Sequence, residues 1–137
     1  MENLTNIIEV SPATTNLNIS PEGDFFRIWV DFLKPIHKLP PRMMDVLAIL
    51  LQRRYELSKI ILDPELLDST LLHRRTRKEM RERIHMKARH FNEVIYQLRN
   101  KYHVMKGDKI YMHMIPVMTD GGVGLTVYFK WQDEQTS

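Results

Sequence analysis

The chain has 137 residues, enough for one domain with a single hydrophobic core. Hydrophobic residues make up 43% and charged residues 27%, as in ordinary globular proteins, and the lack of cysteine excludes disulfides, thiolate metal sites and cysteine nucleophiles. The longest apolar run, at 46–51, is far below the roughly 20 residues of a membrane span, and no export signal opens the chain, so we expect a cytoplasmic protein that is not bound to a membrane.

The ends of the chain differ from its middle in composition. Residues 1–23 are polar, contain two prolines and show little periodicity, which predicts a flexible N-terminal arm or a segment that orders against a partner. Residues 132–137 are also polar and predict a mobile tail. One domain over 24–131 is therefore expected.

The first element of that domain is FFRIWV at 25–30. Its aromatic and β-branched composition predicts a strand. The alternative is a helix that starts within WVDFLKPIHKL and is soon interrupted by Pro35.

The next segment predicts the clearest helix of the chain. Pro40 and Pro41 open it, and its core-facing residues recur at helical spacing: Met43, Met44, Leu47, Leu50, Leu51 and Leu57. The short KIIL at 59–62 predicts a strand. Asp63 and Pro64 then form an N-cap and first-turn pair for a helix that runs to Leu72.

Residues 76–100, TRKEMRERIHMKARHFNEVIYQLRN, contain two amphipathic patterns separated by a break. Thr76 and Glu79 have the spacing of a capping box and predict the start of a helix. Met80 and Ile84 give that helix an apolar face, and HMK at 85–87 interrupts it. The second helix has a predicted buried stripe of Ala88, Phe91, Val94, Ile95, Leu98 and Tyr102.

A β-hairpin is predicted after the second of these helices. Val104 and Met105 lead into the turn KGDK at 106–109, and the alternating IYMHMIPV follows at 110–117. A second turn, TDGGVG at 119–124, leads to LTVYFKW at 125–131, which predicts another strand.

The net charge of +3 conceals an asymmetric distribution. Residues 74–109 hold twelve lysines and arginines against four acids, a net charge of +8, so the rest of the chain carries −5. A basic segment on an otherwise acidic chain is typical of a surface that binds a polyanion. The alternative is a solvated helix whose charges pair at i,i+4 spacing, Lys78 with Glu82 and Glu79 with Arg83.

The two helices and the hairpin resemble a winged helix-turn-helix domain over residues 42–117. The aliphatic positions of that motif are filled by Met80, Ile84, Met86 and Phe91. Arg81 stands where the motif has a small residue, so we expect this side chain to lie outward or the helices to cross more loosely. His85 stands where glycine is usual, which predicts a left-handed backbone there.

A longer likeness runs from FFRIWVDFLKPI through HFNEVIYQLRNKYHV to IYMHMIP. This order of features is similar to the winged-helix replication and regulatory proteins of bacterial plasmids and phages. The resemblance implies an α+β fold with three to four helices and a small antiparallel hairpin, the wing. It also implies sequence-specific binding of double-stranded DNA, for transcription regulation or replication initiation, in the cytoplasm of a bacterial host.

In such a domain the second motif helix lies in the major groove. With Phe91 directed inward and about 100° per residue, Arg89 and Glu93 point outward and Asn92 lies on a flank. The residues predicted to read bases are Arg89, Asn92, Glu93, Tyr96 and Asn100, with guanine suited to Arg89, adenine to Asn92 and cytosine to Glu93. Those predicted to contact phosphates are Arg74, Arg75, Arg77, Lys78, Lys87, Lys106 and Lys109.

The sequence contains no pattern typical of catalysis, cofactor binding or metal binding. Its six histidines form no HExxH or similar ligand spacing, and no phosphate-binding glycine motif or GxSxG occurs. We expect a protein that is not an enzyme and uses no cofactor, metal or small-molecule substrate. Its expected partner is double-stranded DNA, and paired half-sites are compatible with a homodimer. The alternative is a phage structural or assembly adaptor that uses a winged-helix scaffold for protein contacts, which the long N-terminal arm and Glu93 favour.

Overall fold

A computed structural model describes residues 23–123 and 130–132. Within these ranges the fold is α+β, with six α-helices followed by a two-stranded antiparallel hairpin and a short 3₁₀-helix. The helices are α1 (Phe25–Phe32), α2 (Lys34–His37), α3 (Pro41–Ser58), α4 (Pro64–Leu71), α5 (Arg74–Arg83) and α6 (Ala88–Asn100). The strands are β1 (Met105–Lys106) and β2 (Lys109–Ile110), and the 3₁₀-helix covers Met112–Met114. The α+β class is as predicted, but the helices outnumber the three to four expected.

The strand predicted at 25–30 is wrong, because this segment forms α1. The buried side of the segment consists of Phe26, Trp29, Val30 and Leu33. Ile28 and Phe32 are exposed, so the apolar residues follow a helical period. Burial of that stripe against α3 outweighs the preference of aromatic and β-branched residues for strands. Pro35 lies in the first turn of α2, where a proline is tolerated.

The helix predicted after Pro40 and Pro41 is confirmed as α3. Pro40 is its N-cap and Pro41 its first residue, where a missing N–H group loses no helical hydrogen bond. Nine side chains of α3 are buried, so most of its circumference must be covered by other elements. It contacts α1, α4, α5 and α6 and is the centre of the hydrophobic core.

The link between α3 and α4 contains one wrong and one confirmed prediction. Residues 59–62 form a turn and an irregular link instead of a strand, and Ile60 and Leu62 are exposed. A strand needs a neighbour for its backbone hydrogen bonds, and the described part of the chain supplies none at this place. The cap is confirmed, because the Asp63 carboxylate accepts a hydrogen bond from the Leu66 amide at 3.1 Å.

The predicted order of helix, turn and helix is confirmed, but α5 begins earlier than expected. His73 is its N-cap, and His73 Nδ1 accepts from the Arg75 amide at 3.2 Å. The capping box at Thr76 and Glu79 is therefore wrong. Thr76 is buried within the helix, and the Glu79 carboxylate accepts from Arg53 on α3 instead of the Thr76 amide.

The stripe predicted on α6 is confirmed for its four central members, Phe91, Val94, Ile95 and Leu98, all of which are buried. Ala88 is exposed, contrary to the prediction, because it is the first residue of α6 and no other element covers it. Tyr102 lies beyond the end of the helix and is half-buried. α6 therefore enters the core along its middle and last turns.

The predicted hairpin is confirmed, but each strand has only two residues. Met105 pairs with Ile110 and Lys106 with Lys109. The alternation at 110–117 does not continue as a strand, because residues 112–114 form the 3₁₀-helix. The Trp29 indole N–H donates to a carbonyl oxygen of this 3₁₀-helix at 2.9 Å, a buried bond that attaches α1 to the segment after the hairpin.

Some predictions fall outside the described residues. They concern the N-terminal arm, apart from Gly23, most of the strand at 125–131, and the tail from residue 133 onward. The second turn is described up to Val123, and Thr119 and Gly122 form a β-bridge across it. Lys130 and Trp131 are exposed and belong to no helix or strand.

Candidate nucleic-acid interface

The turn between α5 and α6 determines how these helices meet. His85 has a φ of 55°, the left-handed conformation that its place in the motif predicted. Arg42, at the start of α3, donates from Nη2 to the carbonyl oxygens of Ile84 at 2.6 Å and His85 at 3.2 Å. Carbonyls at the end of a helix otherwise lack a protein partner. The turn is therefore held from the side of α3.

An open groove of about 810 Å³ lies between α5 and the first residues of α6. We call it the basic groove; it is lined by Leu72, His73, Arg74, Arg75, Arg77, Lys78, Arg81, Ala88 and Asn92. Five of these residues are arginine or lysine and none is acidic, so positive potential is concentrated there. The N-termini of both helices add amide groups that are not bonded within their helix.

The ion pairs expected of a solvated α5 do not form. Lys78 and Glu82 make no ion pair among the described residues, although their spacing permits one. Glu79 pairs with Arg53 of α3 at 3.0 Å and not with Arg83 of its own helix. Within the described chain, the acidic side chains of α5 therefore neutralise none of its own basic residues.

One cation of α5, Arg83, is neutralised, and it lies away from the basic groove. Arg83 donates to the two carboxylate oxygens of Glu56 at 3.2 and 3.3 Å. Burial raises the pKa of Glu56, but hydrogen bonds from Arg83 and Arg53 outweigh it, so the pKa is lowered and the group is ionised at neutral pH. Within the described chain, four cations of the basic groove make no hydrogen bond or ion pair through their own side chains: Arg74, Arg75, Lys78 and Arg81.

Arg77 differs from these four cations because it has partners within the chain. Its Nε donates to the Leu72 carbonyl at 2.7 Å and its Nη1 to Asn92 Oδ1 at 3.0 Å. Burial and the charge of Arg99 lower the pKa of Arg77, and Asp108 opposes them, yet an arginine remains protonated in proteins. Arg77 connects α5 to α6, and its role at a phosphate stays a prediction.

The predicted reading face of α6 is exposed, as its helical period indicated. Its members are Arg89, Asn92, Glu93, Tyr96 and Asn100. Tyr96 keeps 63% of its surface. The Asn100 amide donates to the Tyr96 carbonyl at 3.0 Å, near the end of α6 that is remote from the basic groove. Asn92 is the member of this set that lies in the basic groove.

The hairpin holds two further predicted residues close together. Lys106 and Lys109 are exposed and face each other across the turn, where Gly107 has the positive φ of 59° that favours glycine. Arg99 of α6 donates from Nε to the Gly107 carbonyl at 2.8 Å and from Nη2 to the Asp108 carboxylate at 3.1 Å. Arg99 thus neutralises the acid of the turn and attaches the hairpin to α6.

Several positions in this region were not predicted from the sequence. His73 and Arg81 line the basic groove, and Arg99 positions the hairpin. A signal existed for Arg81, because it follows Lys78 by three residues and so lies on the same side of α5. Lys87, which was predicted to contact a phosphate, is the exposed N-cap of α6 beside the basic groove but does not line it.

Residues 23–123 and 130–132 contain no group of three His, Asp or Glu side chains placed to hold a metal ion. No helix in these ranges combines the length and the apolar character needed to cross a bilayer. Comparison with protein-family models, with curated proteins and with solved structures found no match to this chain.

Proposed function

We propose that this chain is a winged-helix protein without enzymatic activity that binds double-stranded DNA sequence-specifically, in transcription regulation or replication initiation in a phage or plasmid. The observation that carries the proposal is the basic groove. Arg74, Arg75 and Lys78 have no ionic partner among the described residues and lie beside the exposed start of α6. Phosphates at regular spacing are a suitable partner for such a set of cations.

α6 is the helix that we propose to lie in the major groove. Its 13 residues give a length of about 20 Å, and the major groove, about 12 Å wide, admits an α-helix. Phe91 and Leu98 anchor one side of α6 in the core, and the opposite side is exposed. In this arrangement Arg89 donates to guanine and Glu93 accepts from the cytosine amino group.

The basic groove and the hairpin would then contact the DNA backbone near opposite ends of α6. The basic groove lies at the start of α6, and Arg99 attaches the hairpin near its end. The cations proposed to contact phosphates without an intramolecular partner are Arg74, Arg75, Lys78, Lys87, Lys106 and Lys109. Each phosphate neutralised contributes about −0.9 to the slope of log affinity against log salt, so a slope of about −5 is expected.

Titration of duplex DNA at two salt concentrations, roughly 50 and 200 mM, tests the proposal. Wild-type affinity should fall steeply with salt. Arg89→Ala should change the sequence preference, and Lys106→Ala should weaken binding to all sequences and reduce the salt slope by about 1. Lys34→Ala on α2 is the control, because it removes the same charge outside the basic groove and the hairpin. It should leave both the sequence preference and the salt slope unchanged. Weak binding that is indifferent to salt and to all three substitutions would contradict the proposal.

A second candidate function is that of a phage structural or assembly adaptor that binds another protein. It is favoured by the exposed apolar side chains of Ile28, Phe32 and Ile36, which are spaced four residues apart along α1 and α2. Phe32 and Ile36 keep 61% and 60% of their surface. An adaptor predicts that Phe32→Ser abolishes binding to its protein partner, whereas Arg89→Ala does not.

A further inference from the structure

The contact between Arg77 and Asn92 determines which atom of the Asn92 amide is available to a ligand. A guanidinium carries donors and no acceptor, so the atom that faces Arg77 Nη1 at 3.0 Å is the carbonyl oxygen Oδ1. This partner fixes the orientation of an amide whose oxygen and nitrogen are otherwise hard to distinguish. The Nδ2 group has no hydrogen-bond partner in the described part of the chain. Asn92 therefore presents a donor to solvent.

Arg77 is itself held in place by a second bond. Its Nε donates to the Leu72 carbonyl at 2.7 Å, and Leu72 is the buried C-cap residue of α4. Because the guanidinium is planar, fixing Nε also fixes the direction of Nη1. Rotation of the Asn92 amide would break a hydrogen bond from a charged donor, which is about twice as strong as a neutral one. The orientation of Asn92 is thus determined by two helices outside α6.

We infer that Asn92 is a specificity-determining residue whose Nδ2 donates to an acceptor on a base edge, which guanine supplies best. This inference rests on the proposed function and deepens it. In the major groove guanine presents two acceptors, N7 and O6, whereas cytosine presents its amino donor. Asn92 is the fifth residue of α6, within the N-terminal part of a recognition helix that contacts base edges. Adenine, the initial prediction, would need Oδ1 as well as Nδ2.

The substitution Asn92→Asp tests the roles of Oδ1 and Nδ2 separately, because it changes Nδ2 and keeps Oδ1. Aspartate has the same shape and still accepts from Arg77, but its second oxygen takes the place of the Nδ2 donor. The position then accepts a hydrogen bond where it donated one. Its base preference should change from guanine to cytosine, whose N4 amino group is a donor. The unfolding midpoint should not fall, because the Arg77 contact is kept.

The experiment is selection of bound duplexes from a randomised pool, followed by sequencing. It uses the full chain as wild type, Asn92→Asp and Gln97→Glu. Gln97 lies on the same helix, and its side chain has no hydrogen-bond partner among the described residues, so Gln97→Glu matches the change of charge. One position of the site should be enriched in guanine for the wild type and for Gln97→Glu. For Asn92→Asp the enrichment in guanine should fall about tenfold, the size expected for the loss of one good base contact. Cytosine should replace guanine at that position.

Two results would overturn the inference while leaving the proposed function in place. The first is adenine at that position in the wild-type site. The second is the same site for all three proteins, as expected if the Asn92 amide contacts a phosphate or solvent instead of a base. A wild-type protein that enriches no sequence would overturn the inference and the proposed function together.

Discussion

Arg42 and Ile84 are 42 residues apart, yet the Arg42 guanidinium donates to the Ile84 carbonyl oxygen at 2.6 Å. The same nitrogen reaches the His85 carbonyl at 3.2 Å. These bonds join the first turn of α3, the central helix of the core, to the turn that orients α5 against α6. The geometry of the proposed DNA-binding surface therefore depends on a residue outside that surface.

Replacement of this arginine should destabilise the fold. Arg42→Ala removes a charged donor from two carbonyls, and because the site is exposed to water we expect a loss of about 1 kcal/mol in the free energy of unfolding. Urea denaturation followed by circular dichroism measures it. Asp45→Asn is the control, since it weakens the ion pairs of Asp45 with Arg42 at 3.1 Å and with Arg27 at 2.8 Å but keeps the bonds to the turn. A loss in Arg42→Ala no larger than that in Asp45→Asn would mean that the bonds to the turn contribute nothing measurable.

The left-handed residue of the turn offers a substitution that should stabilise the protein. The left-handed conformation costs a non-glycine residue about 1–2 kcal/mol, and glycine avoids this cost. Part of the benefit is lost again, because glycine has more conformational freedom in the unfolded chain. His85→Gly should therefore raise the free energy of unfolding by about 0.5–1 kcal/mol. His85→Ala, which keeps a Cβ atom, is the matched control and should give no gain. Thermal unfolding of both variants decides the matter, and a glycine variant no more stable than the alanine variant would contradict the argument.

The elements that the sequence predicted correctly are those with a strong local pattern. α3 has two opening prolines and a long apolar repeat, α4 has an aspartate cap, and α6 has a clear stripe. The strands predicted at 25–30 and 59–62 were wrong because amino-acid composition alone suggested them. The first segment has a helical period of apolar residues, and the second has no partner strand in the described chain. Both segments contain β-branched residues, which favour strands. Packing on α3 determines the conformation of the first, and the lack of a neighbouring strand in the described chain determines that of the second.

The residues of the candidate site likewise include some that a local sequence pattern predicts and others that depend on tertiary contacts. The exposed face of α6 follows from one helix and could be predicted from its period. The basic groove requires the relative position of two helices, which depends on Arg42 and on the backbone of His85. The identity of the neutralised cations could not be predicted either. Glu79 and Arg83 have the spacing to pair with each other, but each pairs with a residue of α3.

The attachment of the hairpin to α6 gives a third prediction. Arg99→Ala removes the donors to the Gly107 carbonyl and the Asp108 carboxylate, so amide hydrogen exchange at 105–110 should become about tenfold faster, roughly 1.4 kcal/mol of local stability. Asp108→Asn keeps the bond from Arg99 Nε and should show a smaller effect. Mass spectrometry of exchange reports both. Unchanged exchange in Arg99→Ala would show that burial of Met105 and Ile110 holds the hairpin without Arg99.

A buried histidine remote from the basic groove should make stability depend on pH. His37 Nδ1 accepts from the Leu39 amide at 2.9 Å, and Nε2 lies 2.8 Å from the Val30 carbonyl, so the proton is on Nε2 and the ring is neutral. Burial lowers the pKa of His37, and the positive charges of Lys34 and Arg27 act in the same direction, whereas the Val30 carbonyl opposes them. Protonation at Nδ1 would place two donors against each other.

Because the pKa of His37 is lower in the folded chain, the unfolded chain binds a proton first as the pH falls through the ordinary histidine value of about 6.5. The contribution of neutral His37 is therefore complete above that pH and is lost below it, until the folded-state pKa is reached. Urea midpoints at about pH 8 and about pH 5.5 should show a decrease for the wild type. His37→Gln, which accepts and donates but does not titrate, should show a smaller decrease. The other histidines are common to both proteins, so equal decreases would mean that the pKa of His37 is the same in the folded and unfolded chains.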